Sequence, residues 1–316
     1  MATTTSITTT YAGEKASPYI KAALLSGNTL GNGLVTIKPN IKYKQVVKKV
    51  ATGDLLANAT CDFTDTSSVT ITERILEPKE LQVNLELCKK DFRSDWDAIS
   101  MGYSAFDNLP PDFASFLIAH VAEKVAAENE VAVWRGDSGT GGSFDGFVTL
   151  IAQDAGLPAA QEIAGTTVTA SNVIDELGKI VDAIPATLYG KDDLHIYVSQ
   201  NIYRAYVRAL GGFGANGVGA NGVNGQGNNQ SLGDLMFDGV KIFVANGLPS
   251  NTAIAAEKSN LFFGTGLLSD HQEVKVIDMA DVDGSQNVRI VMRFTAGVQY
   301  AIVEDIVTYG ITNAAN

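Results

Sequence analysis

Residues 109–137 read LPPDFASFLIAHVAEKVAAENEVAVWRGD, the longest uninterrupted helical pattern in the chain. Pro110-Pro111-Asp112 punctuates its start: proline suits a first helical turn, and an acid there favours the N-terminal end of the helix dipole. Phe113, Phe116, Leu117, Val121, Val125, Val131 and Ala132 recur at spacings of three or four, one apolar stripe of a helix. Gly136 ends it. The pattern predicts a helix over 112–135, on the order of 36 Å long at ~1.5 Å per residue. That length suits a structural spine.

Upstream, the pattern changes. Residues 1–40 are rich in Thr, Gly, Asn and Ser, with one short helical stretch around Pro18–Leu25 and no sustained period, which reads as an arm. Extended character starts near Ile41, in IKYKQVVKKV. Val69–Leu76 (VTITERIL) puts Val69, Ile71 and Glu73 on one face and its threonines on the other. Leu81–Leu87 alternates cleanly, with Leu81, Val83, Leu85 and Leu87 against Gln82, Asn84 and Glu86. With the polar turn CDFTDTSS (61–68), these make a long two-stranded excursion. An isolated ribbon is marginal in water, so it needs a surface to lie on.

Downstream, a Gly-, Ser- and Thr-rich stretch (136–169) leads to an amphipathic helix over Ser171–Ile184, ended by Pro185. A strand at Leu194–Val198 follows, then a helix QNIYRAYVRAL capped by Ser199 and stopped at Gly211-Gly212. Strands are expected at 240–245, 260–263, 273–277, 288–294 and 298–305. The fold class is α+β, with helices covering one side of a mixed or antiparallel sheet.

Composition narrows the function. The chain has 316 residues, 45% hydrophobic and 18% charged, enough for about two domains and a sizeable core. No run approaches the ~18 apolar residues of a membrane span, and MATTTSITTT is no secretory signal. Cys61 and Cys88 have neither metal-ligand nor redox spacing, so a reducing cytoplasm is expected. Net charge is −12, unevenly spread: residues 1–50 hold seven lysines and one acid, a balance of +6, leaving −18 on the remainder. An acidic body argues against wrapping nucleic acid. The basic leading segment could touch phosphates, but the opposite charge of the two parts favours an acidic surface on a neighbouring copy.

The chemical motifs are weak. Gly212–Gly217 and Gly217–Gly222 both match GxGxxG, yet they follow a helix and come from a tandem repeat of GANGV, with no charge before Leu232. A dinucleotide site needs the motif between strand and helix. Gly136-Asp137-Ser138-Gly139 is similar to a serine-protease nucleophile segment, but Thr140 breaks it, and nothing in the settings of His120, His195 and His271 marks a catalytic pair. Asp91, Asp95 and Asp97 lie beside Lys89, Lys90 and Arg93 as a solvated face. Asp278, Asp281 and Asp283 lack a calcium loop's full ligand set and read as a turn. No catalytic, cofactor-binding or metal residues are assigned, and the chain is not expected to be an enzyme.

Taken in order, TITERILEPKELQVNLELCKKDFRSDW, the 109–137 helix, NVIDELGKIVDAIPATLYGKDDLHIYVSQNIYRAYVRAL and FDGVKIFVANGLP resemble the major capsid proteins of tailed double-stranded DNA bacteriophages, the Hong Kong 97-type fold. The resemblance spans nearly the whole chain and rests on element order and length. It implies an N-terminal arm (1–38), an extended β loop (39–88), a peripheral domain with the spine helix (89–165), an axial domain (166–290) and C-terminal strands returning to the peripheral domain (291–316). It implies hexamers and pentamers in an icosahedral phage head in the virion, built in the host cytoplasm around double-stranded DNA, with a portal as partner and no membrane. The alternative is an encapsulin, the same fold used as a cellular cargo shell. Strands beginning within about forty residues leave no room for the type member's scaffold segment, so a separate scaffolding protein is expected. Lys44, Lys48, Lys49 and Lys79 lie in the extended loop, none assignable to the type member's lysine–asparagine cross-link. The loop 211–231 is expected at the axial tip, where copies crowd around a symmetry axis.

Overall fold

The computed structural model describes residues 28–52, 56, 58, 68–88, 111–211, 235–266 and 274–314. Chain order runs from a helical turn at Asn28–Gly31 through β1 (Thr36–Lys38), β2 (Gln45–Thr52), β3 (Val69–Leu76) and β4 (Lys79–Cys88) to the long helix α1 (Pro111–Arg135) and α2 (Phe147–Ala152). Then come β5 (Glu162–Ile163), α3 (Val173–Asp182), β6 (Leu194–Val198), α4 (Gln200–Gly211), β7 (Met236–Phe237) and β8 (Val240–Val244). The chain continues with β9 (Ala253–Glu257), β10 (Leu261–Thr265), β11 (Val274–Asp278), β12 (Asn287–Tyr300) and β13 (Val307–Tyr309). Helices and mixed sheets make an α+β fold. The expected helix at Pro18–Leu25, the turn 61–67, the carboxylates at 91–97, His271 and the loop 212–231 lie outside the described residues.

Three sheets organise the described residues. In the first, the 14-residue β12 pairs antiparallel with β4, β10 and β11, and β1 adds parallel to β10. The second runs β5-β13-β9-β6-β8-β7, with β6 and β8 parallel. The third is the ribbon β2–β3, in register from Gln45↔Leu76 to Thr52↔Val69.

The second sheet is covered on both faces. From β6, Ile196 and Val198 point into a core shared with α3 and α4, while Tyr197 points into the core of α1 and the first sheet. From β9, Ala253 and Ala255 face the helices, and Ile254 and Ala256 face the first core. That double cover is why LHIYV and AIAAE are buried at every position.

The long helix is present at the expected place, and its buried face is wider than one stripe. Ile118, Val121, Ala122, Val125, Ala126, Asn129, Glu130, Val133 and Trp134 are buried, while Val131 and Ala132 are only half-buried. The side chains of 111–117, including Phe113, Phe116 and Leu117, lie outside the described residues. Trp134 packs 5.5 Å from Phe147 and 5.2 Å from Tyr197, ring centroid to centroid. Close approach explains one glycine here: a Cβ on Gly247 would lie 2.1 Å from the Glu130 carbonyl oxygen.

Several expectations need correction. The expected arm of 1–38 is anchored from residue 28: Leu30, Leu34 and Val35 join the main core, and β1 joins the first sheet. The alternating strand is not part of the ribbon; β4 runs along β12 for ten residues, with its apolar face on the core. Around the boundary expected at 291, β10 and β11 both pair with β12, and β13 pairs with β9 in the second sheet. The strands expected at 288–294 and 298–305 are largely one. Thr295-Ala296-Gly297 looks like a break but continues the ladder, and a Cβ on Gly297 would come within 2.9 Å of Pro78 Cα.

Candidate functional site: the ribbon and its seat

A two-stranded ribbon has no core of its own, so its position is set by its base. Leu76, fully buried, packs with Ile41 and Phe262, and Val47 lies against them. Val47, Lys49 and Arg74 share the ribbon face turned toward the body. Arg74 Nη2 lies 2.5 Å from Asp154 Oδ2, which also accepts from the Tyr300 hydroxyl at 2.7 Å. The Arg74 guanidinium stacks 4.5 Å above the Tyr300 ring. Lys49 Nζ meets Glu304 Oε1 at 2.8 Å, and Gln299 Nε2 donates to the Ile75 carbonyl at 3.1 Å.

The electrostatics agree with a fixed seat. Burial alone would push the Asp154 carboxyl up, but hydrogen bonds from Tyr300, the Gly156 N–H and Arg74 outweigh it and hold the group below the ordinary carboxylate range. Glu304 follows the same logic: burial raises it, and the Lys49 ammonium, a backbone N–H and the nearby Arg74 charge together more than compensate. Burial and the bond to Asp154 push the Tyr300 phenol well up, so it remains a donor.

The opposite face is apolar and bare. The register places Val46, Lys48, Val50 and Thr52 opposite Ile75, Glu73, Ile71 and Val69. Val50, Val69 and Ile71 are more than 60% exposed, and Val46 and Ile75 more than 40%. Lys48 and Glu73 sit opposite one another in the middle of this stripe. Such a face is suited to contact with another surface rather than to chemistry.

No family model and no curated protein sequence matches the chain. Solved structures do match, over nearly its full length. The capsid of a native GTA particle aligns with 99% of this chain and 95% of its own, at TM-score 0.60 and 15% identity. The capsid of cyanophage P-SCSP1u aligns over 87% and 86%, at 0.54 and 12%. A virus-like particle from Pyrococcus furiosus aligns over 93% and 97%, at 0.51 and 11%. The chain has the Hong Kong 97-type capsid fold. At these identities what is shared is the fold.

Within this capsid fold, the weighed motif residues have structural occupations. Asp137 Oδ1 accepts from the Gly139 N–H at 2.8 Å, and the Ser138 N–H donates to Asp145 Oδ1 at 2.7 Å, forming a turn after α1. His195 Nδ1 donates to the Asp193 carbonyl at 2.6 Å, and its ring stacks on Phe243. Burial pushes the imidazole below its ordinary value, so it is neutral near pH 7. His120 is exposed on α1. Asp278 and Asp283 accept from the N–H groups of Ala280 and Ser285, as turn carboxylates do. Ser199 begins α4, its carbonyl taking the Tyr203 N–H, but its hydroxyl donates to Asn201 Oδ1 instead of capping the backbone. Among the described residues, no three His, Cys, Asp or Glu side chains lie together as a metal site, and no helix is long and apolar enough to cross a membrane.

The loop lysines are occupied differently. Lys44 pairs with Glu77 at 2.9 Å, Lys49 holds the seat, and Lys79 opens β4 opposite Ala296. The Arg74–Asp154–Tyr300 cluster carried no sequence signal, because its members are 80 and 146 positions apart.

Proposed function

We propose that this chain is the shell subunit of a phage head: a structural, non-enzymatic protein that assembles into hexamers and pentamers of an icosahedral capsid enclosing double-stranded DNA. The observation that carries the reading is the full-length likeness to the native GTA capsid. The apolar ribbon face supports it, since Val46, Val50, Val69, Ile71 and Ile75 stay exposed on it. On this reading α1 and the first sheet form the peripheral part of the subunit, and the second sheet with α3 and α4 the axial part. The ribbon lies across a neighbouring copy. A portal, a separate scaffolding protein and weakly held DNA complete the set of partners, and the protein resides in the virion.

A second reading is an encapsulin-like cargo shell, favoured by the likeness to the Pyrococcus furiosus virus-like particle. Light scattering and electron microscopy of the expressed protein test the shared claim of assembly. Rings, tubes, sheets or shells are expected at moderate concentration. A sharp monomer of 33.4 kDa across a wide range of salt and concentration would sink both readings. The contents of purified particles, genome or protein cargo, separate them.

A further inference from the structure

The carboxyl ends of the parallel strands β6 and β8 open onto a groove of about 620 Å³, between the first turns of α4, residues 168–170 and residues 246–250. Its floor is fixed. The amides of Asn201 and Asn251 bond each other at 2.6 Å, and the Val168 N–H donates to Asn251 Oδ1 at 3.0 Å. Its wall carries Arg204 and Arg208, four residues apart on α4 and so about 6 Å apart along one face. Both are exposed, and neither has an ion pair among the described residues. Two uncompensated guanidiniums in one polar groove ask for carboxylate or phosphate oxygens.

The same layer carries the complementary charge. Helix α3 packs beside α4 on the second sheet, and its outward row shows Asp175 and Asp182, seven residues apart and so about 10 Å along nearly one line. These acids are exposed and neither forms an ion pair among the described residues, though Asp175 also feels the Lys179 ammonium on the same row, which is itself bonded to Glu176 at 2.9 Å. A subunit with two different complementary patches, each with charge left over within itself, is built for head-to-tail contact, the arrangement that closes into rings. The chain's net charge of −12 makes a second copy the natural source of carboxylates.

We propose that the Arg204–Arg208 groove of one subunit receives Asp175 and Asp182 of a second copy, so that this ion-paired contact joins neighbours within a capsomer. The inference rests on the shell-subunit reading and names the contact through which that assembly would close.

The test uses the full chain in three forms: Arg204→Glu with Arg208→Glu, Asp175→Lys with Asp182→Lys, and all four changes together. Circular dichroism should be unchanged and thermal melting should fall by only a few degrees, since all four side chains are exposed and the reversed charges at Asp175 and Arg208 oppose only the helix dipoles at the ends of α3 and α4. Each double variant should raise the concentration at which assembly begins by about tenfold or more, and the fourfold variant should return it to within about threefold of the original. Original chain that assembles while neither double variant shifts the threshold would overturn this contact and leave the shell reading standing. Failure of the fourfold variant to recover would also overturn it, because the groove's acid would then lie elsewhere. Normal assembly of the arginine variant with loss of co-purifying nucleic acid would assign the groove to phosphates instead. An original chain that never assembles would overturn both.

Discussion

Thr29 lies 105 positions before Trp134, yet its hydroxyl links two buried groups of α1. Trp134 Nε1 donates to Thr29 Oγ1 at 2.7 Å, and Thr29 in turn donates to Glu130 Oε1 at 2.6 Å, while its backbone N–H donates to Oε2 at 3.0 Å. A buried carboxylate is tolerable only with such donors. Thr29→Val keeps the volume and removes both hydroxyl bonds, each lost buried partner costing about 1–3 kcal/mol. Urea unfolding should show a loss of roughly 2–5 kcal/mol for Thr29→Val, with most of it recovered by Thr29→Ser. Equal stability of the valine variant and the original would show that the network contributes nothing. Glu130 also marks a limit of sequence reading. An acid in AENEV reads as outward-facing, and only the arrival of a segment 101 positions upstream makes its burial possible.

At the scale of elements, the ribbon's two faces should separate folding from assembly. Val50 and Ile71 sit opposite each other on the bare face, so changing both to serine should leave the subunit's melting within about 0.5 kcal/mol of the original. Assembly should suffer, because a fully buried Val or Ile contributes roughly 1.5–3 kcal/mol at a contact. Val47→Ser, on the face packed against Leu76 and Phe262, should instead lower the melting temperature of the subunit itself. Unimpaired shells from the double serine variant would remove the bare face from the assembly surface. The ribbon strands were legible because Val69–Leu76 is β-branched and bounded by polar residues. Other elements were not. β9 is alanine-rich and buried at all five positions, so it shows no alternation and only one β-branched residue, Ile254. β4 alternates as well as any ribbon strand would, and alternation cannot say which strand is its partner. The groove arginines look like the ordinary polar side of an amphipathic helix until their lack of partners is seen.

At the scale of the whole molecule, the charge asymmetry falls in a different place from the arm. Residues 1–27 carry only Glu14, Lys15 and Lys21, a balance of +1. The other five lysines of the leading segment, Lys38, Lys42, Lys44, Lys48 and Lys49, lie on β1, on β2 or in the strand-to-strand link between them. Several are already engaged within the subunit: Lys38 sits 4.0 Å from the Phe262 ring centroid, Lys44 pairs with Glu77 and Lys49 with Glu304. The expectation that the arm acts as a cation toward acidic neighbours therefore passes to the ribbon. Exposed pairs are screened over ~10 Å at 0.1 M salt, so assembly driven partly by ribbon charge should weaken as salt rises. Deleting residues 2–27 removes one net positive charge and should leave the slope of that salt dependence unchanged, even if overall shell yield falls. Changing Lys42 and Lys48 to glutamine should flatten the slope. Scattering onset measured for the three proteins between low and high salt decides the matter. A flattened curve for the deletion, with the lysine variant still steep, would return the electrostatic role to the arm.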